Sequence, residues 1–119
     1  MQLALLIASW LLAVAMVAAG AYKLVTPRVA LMQKMKWART WSDGSVKLLG
    51  LAEALGGIGL VVPHLTGILP VLTPIAAVCL FVLMVGAVKT HVDLEEPVAA
   101  PGLFALLGLF VALGRFGIL

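Results

Sequence analysis

Glu53 is the residue that most needs a physical explanation. It stands inside the apolar run Val46–Val62, eight positions after Ser45. That places it about 12 Å into a helix of roughly 25 Å. In lipid, a carboxylate near mid-span costs roughly 2.5–3.5 kcal/mol. It must therefore be neutral, paired, or turned toward a polar cavity. Gly50 and Gly57 flank it on nearly the same side, so it faces other helices and not the lipid. Two readings stay open: a carboxyl that handles a ligand or a proton, and a structural acid bonded to a neighbouring helix or to a cation. Lys23 and Lys47 lie at the edge of apolar segments and can reach inward to pair with it. They can equally snorkel outward to lipid phosphates. His91 closes a third apolar segment on the same side. With Lys89 it can line a cavity near Lys23, or it is a satisfied interfacial histidine. Glu53, Lys23 and His91 are thus the ligand-binding or buried polar candidates.

Other chemistry finds little support. His64 lies in the opposite turn and cannot share a site with His91. His91, Asp93, Glu95 and Glu96 have the composition of a metal cluster but no helical ligand spacing, so no metal site is expected. The acidic loop more simply faces the basic one. Cys79 is the only cysteine, which rules out a disulfide framework and an intrachain redox pair. Cys79 and Met84 read as packing residues. There is no nucleotide loop, haem site or nucleophile triad, so no catalytic residue is assigned and an activity of the chain on its own is not expected.

The elements that must position these residues are membrane helices. Of 119 residues, 64% are hydrophobic and 11% charged. A soluble domain is roughly a quarter charged, and a chain this short could not hide so much apolar surface from water. The periodicity predicts an all-α, polytopic four-helix membrane bundle forming one domain over 1–119, with helices at about 3–22, 46–62, 71–88 and 99–118. Twenty such residues span roughly the 30 Å hydrocarbon core. The first run begins Met1-Gln2 with no basic residue, and its first positive charge, Lys23, follows it. It is therefore read as a span and not as a cleaved signal.

Thr26-Pro27 reads as a helix start, with a short interfacial helix running through Trp41. Leu31, Met35 and Ala38 would share its apolar face, and Trp37 and Trp41 suit the headgroup layer. Ser42 to Ser45 forms a capping turn. The link from Pro63 to Pro70 is short enough only for an antiparallel hairpin. Lys23, Arg28, Lys34, Lys36, Arg39, Lys47 and Lys89 lie on one side of such a bundle, and Arg115 on the other. The positive-inside rule makes the basic 23–45 loop cytoplasmic and places both termini outside, with a bacterial inner membrane as the expected location. No nucleic-acid motif accompanies the basic loop.

In lipid, close packing of small residues joins helices. Gly50, Ala54 and Gly57, with Gly56 and Gly59 beside them, form one such stripe. Ala105, Gly108 and Ala112 form a second, and Ala4, Ala8, Ala15 and Ala19 a third. These stripes serve a tight bundle or, equally, a homo-oligomer.

Taken in order, Ala19-Gly20-Ala21-Tyr22-Lys23-Leu24, the Lys47 to Pro63 block around Glu53, the Gly67-Ile68-Leu69-Pro70 turn, Leu72 to Ala77, and Met84-Val85-Gly86-Ala87 leading to His91 resemble the DoxX-like family of small four-helix membrane proteins. The resemblance covers nearly the whole chain and implies a four-helix bundle, with Lys23, Glu53 and His91 at family positions. The family name comes from proteins associated with archaeal quinol-oxidising systems. Relatives include membrane partners in bacterial oxidative-stress complexes and animal chaperones of nicotinic receptor assembly. Membrane redox enzymes of the vitamin K epoxide reductase type use paired cysteines, a chemistry that a chain with Cys79 alone cannot run. The first expectation is therefore an accessory protein that binds or helps assemble another membrane protein. The second is a subunit binding a quinone or lipid, with Glu53 handling a proton and Lys23 or His91 contacting a polar head. The third is a small-molecule carrier, for which paired discontinuous helices are missing.

Overall fold

The computed structural model describes residues 1–34, 36–39 and 41–118. Met35, and the side chains of Arg28, Trp37 and Arg39, lie outside the described residues. The chain runs α1 (Gln2–Val25), α2 (Arg28–Lys34), a 3₁₀ turn (Lys36–Arg39), α3 (Asp43–Thr66), α4 (Leu72–Asp93) and α5 (Ala99–Arg115). Four of these form a ring. α1 packs most extensively on α3 and α4 on α5, and α3–α4 and α1–α5 contacts close it. This is an all-α membrane helical bundle. Its longest dimension, 41 Å, matches a bilayer with its headgroup layers.

Helices α1, α3 and α4 are each long and apolar enough to cross a membrane. α5 has 17 residues and is shorter than the sequence predicts, because the chain turns at Phe116 and Gly117. The outward faces are apolar throughout: Leu3, Ile7, Leu11 and Val14 on α1, Leu48, Leu51, Leu55 and Ile58 on α3, Val78, Val82 and Val85 on α4. A water-soluble surface does not carry apolar area on this scale; lipid solvates it.

Two boundaries differ from the sequence reading. α3 continues past Val62 through Pro63 to Thr66, and ends at Gly67, whose left-handed φ of 72° lets its N–H reach the Pro63 carbonyl at 3.0 Å. Pro63 is buried one turn before the helix end, where its missing N–H leaves the Gly59 carbonyl without its helical donor. α4 likewise runs past Val88 to Asp93, so Lys89 and His91 are helical. A membrane helix need not stop where its apolar residues stop, since its polar last turn is solvated by the headgroup layer.

The small-residue stripes on α3 and α5 do face other helices. The stripe on α1 does not run as read: Ala4 is exposed, Ala15 and Ala19 are half-buried, and the inward line is Leu5, Ala8, Leu12, Met16, Gly20 and Lys23. Alanine alone does not mark a buried face when leucines at helical spacing compete for it. Cys79 is a second correction: it is exposed on the outer face of α4, whereas Met84 is buried in the core.

The segment between α1 and α3 is not one interfacial helix. α2 ends at Lys34 and a 3₁₀ turn follows. Leu31, Ala38 and Val46 are fully buried against one another, with Tyr22, Met32 and Trp41 packed around them. The segment is therefore a cap with its own small core, seated on the ends of α1 and α3.

Candidate functional site

The α1–α3 seam sets up the site. A Cβ on Gly20 would strike the Gly50 carbonyl oxygen, and one on Gly50 would lie 2.8 Å from the Gly20 oxygen and 2.9 Å from the Lys23 Cβ. Only glycine permits this approach. Lys23 follows Gly20 by one turn, and Glu53 follows Gly50 by one turn. The close backbones therefore bring the two side chains together inside the bundle. Lys23 Nζ donates to both Glu53 Oε1 and Oε2, each at 3.0 Å. The side chains are only 10% and 4% exposed, so bilayer and water are both largely excluded. This ion pair resolves how a carboxylate can sit at mid-span: a cation from the neighbouring helix satisfies both oxygens.

Lys47 plays a different part from the one open to it in the sequence. Its Nζ donates to the backbone carbonyls of Lys23 and Thr26, both at 2.7 Å. The reason lies in Pro27. In a continuing helix the N–H of residue 27 would bond the Lys23 carbonyl, but proline has none. Thr26, forced toward extended backbone by the proline, leaves the helix at φ −89°, ψ 129°. Lys47 supplies the missing donor from α3 and ties down the turn that carries Lys23.

Beside the ion pair lies a cavity of about 630 Å³ between all four long helices. Met16, Ala19, Leu83, Met84, Ala87 and Phe104 form apolar walls. Lys23 and Glu53 provide one polar patch, while Lys34, Trp41, Thr90, His91 and Glu96 gather toward the cap. Of the residues marked from the sequence, Lys23 and Glu53 are in direct contact and His91 lines the same cavity. Lys89 does not: it is exposed and pairs with Asp93 at 3.1 Å. His64 is exposed at the far end of α3.

Trp41, Thr90 and Glu96 were not marked for the site. Met84, Ala87 and His91 share one side of α4 at helical spacing, a pattern that could have pointed to a cavity wall. Glu96 had no such signal. After His91 the chain makes a helix-ending turn in which the Glu96 N–H donates to the His91 carbonyl at 2.8 Å and the Glu95 N–H to the Val92 carbonyl at 3.1 Å. Glu95 takes the left-handed position, φ 57°, where glycine is usual. That reversal folds Glu96 back onto the cavity, and no glycine announces it.

A buried ion pair on glycine-sealed helices, beside a half-open cavity between them, defines a small membrane helix bundle with a polar centre. The chain belongs to the DoxX-like family, whose profile matches residues 7–114. Neither the curated proteins nor the solved structures contain a match to this chain.

Proposed function

We propose that this membrane protein binds an amphipathic small molecule, of quinone or lipid type, in the cavity between its four helices. The observation that carries this reading is the shared cavity: Lys23, Glu53 and His91, from three different helices, line one space of about 630 Å³ whose other walls are largely apolar. An apolar pocket with a few convergent polar groups is the usual form of a small-molecule site. The tail would lie along Met16, Leu83 and Phe104 and the head toward His91. The Lys23–Glu53 pair would supply a proton-exchanging contact on the ligand's flank.

An assembly role ranks first on sequence alone. The cavity supports the ligand-binding reading over it, since a protein acting only through its outer faces requires no cleft with convergent polar groups. The chain carries no electron carrier among its side chains, so any redox work would be shared with a membrane partner. In this reading the protein is an accessory subunit that holds a ligand. The cavity lies at the basic end of the bundle, the end that the positive-inside rule places in the cytoplasm of a bacterial cell.

Native mass spectrometry of the protein released gently from its own membranes tests the reading. A small molecule retained by the wild type and lost from Lys23→Met/Glu53→Met is the expected result. A wild type that carries only bulk lipid, or only a second polypeptide, would return the assembly role to first place.

A further inference from the structure

Among the described residues, the cavity's unfilled hydrogen-bonding capacity is concentrated in the last turn of α4 and the turn that follows it. His91 Nδ1 lies 2.9 Å from the carbonyl oxygen of Pro97. A carbonyl can only accept, so Nδ1 carries the hydrogen. In the neutral ring Nε2 is then a bare acceptor. Glu96 Oε1 is buried with no hydrogen-bond partner. An ionised carboxylate has no hydrogen to give, so that oxygen also seeks a donor. His91 and Glu96 line the same cavity, five residues apart in one turn.

The donors nearby are differently placed. Lys23 is engaged with both oxygens of Glu53. Lys34 is exposed, with its ammonium 5.6 Å from the centre of the Tyr22 ring, and water can solvate it. Among the described lining residues, Glu96 Oε1 is the buried acceptor left without a hydrogen.

Resting on the ligand-binding reading above, we propose that the 91–97 turn reads the ligand's head and selects one bearing hydroxyl or amine hydrogens over one bearing only carbonyl oxygens. His91 Nε2 and Glu96 Oε1 accept from it. The Glu95 backbone, held in an unfavoured left-handed conformation, aims the second acceptor.

A matched pair of probes isolates the claim. 2-Decylhydroquinone and 2-decylbenzoquinone share a ring and a tail and differ in two O–H donors. Binding to the full-length protein in phosphatidylcholine nanodiscs would be measured by calorimetry, with monodecanoylglycerol as an aliphatic hydroxyl probe. Two added hydrogen bonds correspond to about a tenfold preference for the hydroquinone. Glu96→Leu and His91→Phe should each reduce that preference to about threefold. Circular dichroism melts in the same nanodiscs identify any variant that has merely unfolded, and Glu96→Gln, which keeps an acceptor oxygen, should retain more of the preference than Glu96→Leu.

Monodecanoylglycerol binding that weakens in both variants, with or without hydroquinone binding, supports the same donor-reading turn and assigns its ligand to a polyol-headed lipid. Equal affinity for quinone and hydroquinone, or a preference untouched by both substitutions, overturns the proposal while leaving the cavity as a binding site. Failure of all three probes to bind overturns the ligand-binding reading itself, and this proposal with it.

Discussion

The two ends of the bundle are built from equally apolar helices, yet they pack in opposite ways. At the end holding the start of α1 and the start of α4, the helices close on one another. Leu5, Leu60 and Thr73 are each 1% exposed, Val111 is 0% exposed, and Arg115 reaches across to Gln2 Oε1 at 2.9 Å. At the other end α1 and α3 stay sealed by Gly20 and Gly50, but α4 and α5 stand away and leave the cavity. The filled end is packed with apolar side chains, while the open end keeps ionisable groups inside a membrane protein and holds them with a buried ion pair. Polar residues at such depth are costly, so their grouping around one space makes this end the candidate site.

Breaking the ion pair should give the largest effect. Lys23→Met leaves Glu53 buried without its cation and should cost about 3–5 kcal/mol in unfolding experiments. Lys23→Met/Glu53→Met should recover most of that loss, because two apolar side chains replace a desolvated pair. If the double variant is as unstable as the single one, the pair is mainly structural and the contrast between the ends weakens. Lys47→Met comes next, at about 2–3 kcal/mol, since it strips two charge-assisted hydrogen bonds, one of them from the Lys23 carbonyl that Pro27 leaves unserved. Its melting curve should fall while the Lys23–Glu53 pair stays chemically intact.

Smaller effects should differ in sign between sealed and open positions. Gly20→Ala drives a methyl into the Gly50 carbonyl and should destabilise by about 1–3 kcal/mol. Gly86 lines the cavity with nothing within 4 Å of an added Cβ, so Gly86→Ala should stabilise by about 0.5–1 kcal/mol. Matching signs in a thermal melt would mean that the α4 wall is not open. The smallest change belongs to the closed end. Thr73 Oγ1 is buried without a hydrogen-bond partner, so Thr73→Val should be neutral or stabilising by about 1 kcal/mol, with ligand retention unchanged.

Much of this architecture is legible in the sequence because lipid imposes simple rules. Apolar runs of span length, prolines in short links and glycines flanking Glu53 point to the bundle and to the depth of its acid. That Lys23 and not Lys47 reaches Glu53 is not legible, since both are basic residues at the same edge. The choice depends on the missing N–H of Pro27, which commits Lys47 to the backbone. The α1 stripe misled because alanine and leucine both pack at helix contacts. The cap broke into two pieces because burying Leu31 and Ala38 against Val46 wins over a continuous helix. Glu96 stayed hidden because its placement depends on a left-handed Glu95, a conformation for which glycine is the ordinary signal.

Filling the cavity tests the central claim most directly. Ala19 and Ala87 are half-buried on opposite walls of the cavity. Ala19→Leu and Ala87→Leu should leave the melting temperature unchanged or higher while abolishing co-purification of the proposed small molecule, measured per mole of protein by native mass spectrometry. A fall in melting temperature with the bound molecule retained would show that the space is already packed and that any ligand sits elsewhere.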